Sequence, residues 1–379
     1  MKKSKTVVAI LLLIVALGAS SYIYFNQQVA FEQFFKFDED YAKTKDGDIT
    51  IYRAQEVLFD TEAVLDRIEP TKQLAQDIFK MDFKTHNSLP IFVTLPGYKG
   101  HEKMGANTGV YIDNMGIIFI NGENTQFSSY TAVHEYSHFL FDLYLSENGI
   151  SIQEIPAWFT EGIAEYFSFK VEQALPTFYT YYFNTFPFDK LHEINSGNVN
   201  TIYLQGFYAI FDLIESYDED VITQIISAYK TSGDFTAAFE EVTDENYAEH
   251  HDNFRLNKNK IDLLADQLSE PEKVLETGEQ LLANQASINP YSPFILPYLV
   301  SAAIEVNDVS LAKTYLDSLD QLLFNPNDYL YFAVQFQEAG EHSIAAKLIE
   351  KGRYFGKAYH YDLELYEREA EKILTSEEL

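Results

Sequence analysis

Every run of residues suited to a β-strand lies before position 122, and from Ser128 onward the apolar spacing is helical almost to the end of the chain. Ile49–Arg53 (ITIYR) and Leu89–Leu95 (LPIFVTL) are β-branched and aromatic runs. Gly109–Asp113 and Gly116–Asn121 read as a hairpin around Asn114-Met115. Between the first two runs, Thr61–Phe79 spaces Val64, Leu65, Ile68, Leu74 and Ile78 as a helix does. Strands followed by helices predict an α+β fold with its sheet first, not an alternating β/α chain. With 46% hydrophobic residues and 15% aromatic, the chain has enough apolar area to offset the entropy of ordering.

The N-terminus carries Lys2, Lys3 and Lys5, and then Thr6–Phe25 runs without a charge. At 1.5 Å per residue that stretch is about 30 Å long as a helix, enough to cross a bilayer. The lysines would stay on the cytoplasmic side and place the body outside. The rival reading is a cleaved signal peptide with its apolar core at Val7–Leu17. Residues 1–28 are therefore expected to be a signal-anchor or signal peptide. Export follows from either, to a single-pass membrane position or to secretion, with the membrane met through this segment alone. A net charge of −31 argues against nucleic acid or anionic lipid as a partner. Cysteine is absent, so a bound metal must use His, Asp or Glu.

From about residue 259 only helical periodicity remains. Two stretches repeat at an offset of 33 residues: Leu299/Phe332, Val300/Ala333, Asn307/Gly340, Ala312/Ala345 and Leu316/Ile349. A looser third unit covers Leu263–Leu282. The pattern resembles tetratricopeptide-like hairpins, whose functional reading is a groove for a protein partner. An ordinary helical bundle is the alternative.

The chemistry sits at His134-Glu135-Tyr136-Ser137-His138. On a helix, His134 and His138 are one turn apart, so both imidazoles reach one metal ion, with Glu135 beside them as a base. Composition alone produces such a match about once in fifty chains of this kind. The context raises its weight: Ser128 and Ser129 are available as N-caps, and Val133, Phe139, Leu140 and Leu143 provide apolar faces. Two histidines leave a catalytic zinc short of one ligand.

Downstream, Trp158-Phe159-Thr160-Glu161-Gly162-Ile163-Ala164-Glu165-Tyr166 resembles the second-helix signature of gluzincin metallopeptidases, in particular their aminopeptidase branch and related peptidase-MA-like domains. The resemblance covers about Ile49–Arg255. It implies a zincin-like domain over 29–258; the region over 259–379, all-α by its periodicity, lies outside the resemblance. It implies one zinc ion held by His134, His138 and Glu161, with a longer inter-helix loop around Ser146–Gln153 than the aminopeptidases use. Glu165 resembles the carboxylate that such enzymes place behind a ligand histidine. Tyr203-Leu204-Gln205-Gly206 is similar to the element whose tyrosine hydroxyl binds the oxyanion, which makes Tyr203 a catalytic candidate. Gly105-Ala106-Asn107-Thr108-Gly109 lacks the glutamate with which aminopeptidases grip a free amine, and this favours internal cleavage.

The remaining histidines compete poorly. His192-Glu193 lacks a second histidine, and the adjacent His250 and His251 would diverge on a helix; His86, His101, His342 and His360 have no companions at ligand spacing. The expectation is an exported zinc peptidase in which zinc activates a water and Glu135 is the general base, acting on a peptide or protein substrate. Two alternatives stand beside it. One is a catalytically silent zincin-like adaptor working through its C-terminal helices; the other is a structural surface protein with an accidental motif.

Overall fold

The computed structural model describes residues 41–57, 59–83, 89–98, 101–104, 108–122, 128–172, 186–188, 190, 199–248, 250, 259, 261–283, 291–320, 326–358 and 364–375. The lysine-capped apolar segment, Gly105-Ala106-Asn107, His86, His192-Glu193, His251 and His360 lie outside the described residues. Among the described residues, no helix is long and apolar enough to cross a membrane. The fold is mixed, one five-stranded sheet with mostly helical remainder, in two compact units.

The first unit, residues 1–61 and 85–125, holds the sheet. Its strands are β1 (Tyr41–Asp46), β2 (Ile49–Ala54), β3 (Leu89–Thr94), β4 (Gly109–Ile112) and β5 (Ile117–Asn121). Their spatial order is β1-β2-β3-β5-β4, with β2, β3 and β5 parallel and the outer strands β1 and β4 antiparallel to their neighbours. All six residues of β3 are buried, as expected of a central strand carrying a continuous apolar run. Phe92 and Phe119 stack there with Tyr52 and pack on Met104 and Ile117. The β4–β5 hairpin forms where the sequence places it, and Gly116 supplies the left-handed residue of its turn (φ +61°). Strand β1 was not among the expected strands. Its Lys-Thr-Lys-Asp run is exposed, and it pairs with β2 across the two-residue loop Gly47-Asp48.

The second unit, residues 62–84 and 126–379, is helical. Helix α1 (Thr61–Phe79) buries Val64, Ile68, Thr71, Ala75 and Ile78, close to the face its spacing predicts. Next come α2 (Ser128–Glu147), α3 (Ala157–Glu172), α4 (Val199–Tyr217), α5 (Val221–Ser232) and α6 (Phe235–Thr243). Phe79 of α1 stacks on Phe141 and Tyr144 of α2, with Phe167 of α3 alongside. Ser128 and Ser129 are the first two residues of α2 and so stand past the cap position expected of one of them.

The C-terminal helices are α7 (Pro271–Ala283), α8 (Ser292–Glu305), α9 (Val309–Asp320), α10 (Pro326–Glu338), α11 (His342–Ala358) and α12 (Glu364–Thr375). The pairs α8–α9 and α10–α11 are hairpins that repeat at the 33-residue offset. Asn307 and Gly340 both adopt left-handed backbone at the turn (φ +62° and +78°). The Asp308 amide donates to Ala303 O at 2.9 Å, and its counterpart Glu341 donates to Phe336 O at 2.8 Å, the same helix-ending bond in each. Leu299/Phe332, Val300/Ala333, Ala312/Ala345 and Leu316/Ile349 are all buried, so the repeat in sequence is a repeat in packing.

Candidate metal centre

Helix α2 carries His134, Glu135 and His138, each less than a tenth exposed. The helix tolerates that burial because its other faces are apolar, with Val133, Tyr136, Leu140 and Phe141 all buried. Ser137, also buried, spends its hydroxyl on Val133 O at 2.6 Å and leaves no polar atom unpaired. The link from α2 to α3 is set by a short 3-10 turn, Ile152–Glu154, closed by a reciprocal cap between Ser151 and Glu154. Pro156 stands just before α3, its carbonyl accepting from the amides of Phe159 and Thr160 at 2.9 and 3.2 Å.

Helix α3 brings Glu161 to the two histidines. His134 Nε2 lies 3.1 Å from His138 Nε2, and Glu161 Oε2 lies 3.2 Å from each of them. Among the described residues these three form the group of His, Asp or Glu whose ligand atoms converge, all within 4.8 Å of one another. Zinc bonded tetrahedrally at about 2.0–2.1 Å has its ligand atoms about 3.3 Å apart, which is close to the spacing found. Two imidazole nitrogens and one carboxylate oxygen are also the donor set of catalytic zinc sites that leave a fourth position open. The residues fit the metal.

Behind His134 stands Glu165, one turn after Glu161 and 1% exposed. Its Oε1 lies 3.1 Å from His134 Nδ1, and its Oε2 accepts from the Tyr130 hydroxyl. The proton of a neutral His134 therefore belongs on Nδ1, which leaves the Nε2 lone pair facing Glu161 and His138. Burial alone would lower the His134 pKa. Its bonds to Glu161 and Glu165 and the charges of Glu165 and Glu135 outweigh that and hold it well above its ordinary value. Burial would likewise raise the Glu161 carboxyl, but His138 and His134 hold it far below the carboxylate range.

Tyr203 comes from α4. The reason is a helix crossing at which backbones touch. A Cβ on Gly162 would sit 2.4 Å from Gly206 O, and one on Gly206 would sit 2.3 Å from Trp158 O. Glycine at both positions lets α3 and α4 approach this closely, and Tyr203 lies one turn before Gly206. Its ring meets His134 edge-on, with centroids 5.7 Å apart. Burial, and then the charges of Glu161, Glu135 and Glu165, push the phenol well above its ordinary pKa, so it remains a donor. Gln205, fully buried, ties α4 to the segment before it. Its amide oxygen accepts from Phe186 N at 3.0 Å, and its amide nitrogen donates to Phe186 O.

Sequence reasoning missed Tyr130 and Gln205. Tyr130 sits one helical turn before His134, which is the signal that could have found it. His250 lies in a turn after α6, not on the charged helix expected. It pairs through Nδ1 with Glu245 at 2.7 Å and stacks on Phe188, and it is not one of the three converging ligands. His101 and His342 also stand outside the group.

Residues 104–255 match the family model of the M9 peptidases, described as collagenase. The uncharacterized protein YhcO of Bacillus subtilis (strain 168) is 31% identical over 129 residues, covering 32% of this chain. That alignment spans 39% of the relative's own length. The matched family region contains all of the residues that converge here. Together with the His-His-Glu cluster it supports a zinc metallopeptidase.

Proposed function

We propose that this chain is an exported zinc endopeptidase of the gluzincin type, with a zincin-like domain over 29–258. The observation that carries the proposal is the triangle of His134 Nε2, His138 Nε2 and Glu161 Oε2, with Glu135 next to it in the chain. Those three atoms would hold one zinc ion. When bound, zinc lowers the pKa of a water toward 7 and polarises a carbonyl.

The remaining steps belong to the protein. Glu135, buried and adjacent to a ligand, takes a proton from the attacking water and passes it to the leaving amine. The Tyr203 phenol, kept protonated by burial and by its acidic neighbours, donates to the oxygen on which charge develops. Glu165 and Tyr130 hold the His134 ring in one tautomer. The missing amine-gripping glutamate in Gly105–Gly109 supports internal cleavage over removal of terminal residues. The N-terminal apolar segment supports a membrane-anchored or secreted body. The repeated hairpins support a tetratricopeptide-like region over 259–379 that meets a protein partner.

The test is cleavage of a mixed peptide library by the purified protein. Cleavage inside peptides, abolished by a chelator and restored by zinc, is expected. Zinc binding without cleavage would favour the silent adaptor, and release of N-terminal residues alone would reverse the endopeptidase assignment.

A further inference from the structure

A groove of about 660 Å³ is lined by residues of α8 and α10, by Asn307 and Ala339 just past their ends, and by Leu268. Sites for small ligands or a few peptide residues span about 300–1,000 Å³. Six large apolar side chains are exposed among the described residues, and three of them, Leu268, Tyr331 and Val334, line this groove. Exposed apolar area gathered in one place marks an interaction surface, whereas scattered single residues do not.

The charged residues in the lining are Glu305 and Glu338, with no lysine or arginine among them. They stand 33 residues apart, at the same place in successive hairpins. Each lies at the last residue of its helix, where the helix dipole disfavours a negative charge, and neither last turn holds a basic residue. Three other carboxylates of the C-terminal helices are paired: Glu350 and Glu367 with Arg353, and Glu369 with Lys372. Among the described residues, no salt bridge reaches Glu305 or Glu338. The repeat therefore keeps two carboxylates where the chain's own energetics disfavour them, beside exposed apolar side chains.

We propose that this groove binds a protein segment that carries a bulky apolar side chain next to lysine or arginine. The apolar side chain is covered by Leu268, Tyr331 and Val334, and the cation meets the two carboxylates and the negative ends of two helices. An acidic partner would meet repulsion from the groove and from a chain of net charge −31. This inference rests on the reading of the hairpins as a partner-binding region and does not use the metal centre.

The probe is a labelled nonapeptide of alternating lysine and leucine. Two controls replace its lysines by glutamate or its leucines by serine. Binding is read by fluorescence anisotropy on the full chain carrying Glu135→Gln with chelator present, so neither cleavage nor zinc contributes. The lysine–leucine peptide should bind at least about tenfold more tightly than either control, and less tightly as salt rises. Glu305→Lys with Glu338→Lys should reverse the preference toward the glutamate–leucine peptide. Tyr331→Ser should weaken both peptides by about tenfold. These side chains are exposed, so melting temperatures should hold. A photoreactive form of the peptide on the unsubstituted groove should crosslink within α8 or α10. Equal binding of the lysine and glutamate peptides would overturn the proposal, as would binding unchanged by the double substitution or crosslinks elsewhere. So would self-association that Tyr331→Ser abolishes and the peptide cannot displace, which would assign the groove to a second copy.

Discussion

Helices α2–α4 and the hairpins α8–α11 belong to the same unit but bury opposite things. The hairpins repeat a simple rule at 33-residue intervals, with aliphatic and aromatic side chains inside and carboxylates outside. Helices α2–α4 break that rule. They bury His134, Glu135, Glu165, Gln205, Ser137 and Ser168; His134 pairs with Glu165, Gln205 with the Phe186 backbone, and each serine hydroxyl with a carbonyl one turn back. A buried polar group without a partner costs about 1–3 kcal/mol, so such a cluster persists only where each member is held. Regular packing makes the scaffold, and the expensive irregular packing marks the chemistry.

The largest effect should come from removing a ligand. Glu161→Ala and His138→Ala should abolish tight zinc binding in a titration against a competing chelator. Glu305→Lys, in the hairpins, should leave it unchanged. Equal loss from all three would erase the contrast between the regions.

The glycines sharpen it next. Gly162→Val places a side chain where Gly206 O already lies and should unfold the protein or cost several kcal/mol, beyond the usual 1–3 for overpacking. Gly340→Ala meets nothing within 4 Å and pays only for its left-handed backbone, about 1 kcal/mol. Thermal melts of the two variants would separate them.

Glu165→Ala should weaken zinc binding by about 10–100-fold without emptying the site, the usual range for a carboxylate behind a ligand histidine. Tyr130→Phe should act in the same direction and less. In the double variant the loss from Tyr130→Phe should vanish, because its hydroxyl acts through Glu165.

The smallest effect is on pH. In the zinc-free protein His134 has a raised pKa, so its stabilisation is complete below its unfolded value of about 6.5 and is lost as pH rises through the folded value. Glu161 is depressed, so its contribution is present above about 4.5 and is lost as pH falls through its folded value. With chelator present, melting temperature should therefore fall from pH 6 toward pH 9. Zinc competes with the His134 proton, so zinc affinity should rise over the same range. A zinc-free melt that climbs toward pH 9 would contradict the pairing of His134 with Glu161 and Glu165.

Much of this was legible in the sequence where a local pattern carries the information. The β4–β5 hairpin, α1 and the 33-residue repeat follow from turn residues and apolar spacing, which are properties of neighbours in the chain. Strand β1 was hidden because an exposed edge strand needs no apolar run, and its Gly47-Asp48 loop was the one available signal. His134 and His138 could be placed on one face from their spacing, and Glu161 from the resemblance around Trp158–Tyr166. The contact of Gly162 with Gly206 could not be read, because nothing local to either glycine names the other. Gln205 escaped for the same reason, its partner being the Phe186 backbone, whereas Tyr130 stood at helical spacing from His134 and only its partner Glu165 was fixed by tertiary packing.

The central claim is that His134, His138 and Glu161 hold a zinc ion whose chemistry Glu135 serves without binding it. The most direct measurement is zinc stoichiometry and peptide cleavage on one preparation of Glu135→Gln. The account predicts one zinc per chain, as in the unsubstituted protein, with cleavage reduced by at least about a hundredfold. A variant that loses its zinc, or that keeps both zinc and full cleavage, would contradict it.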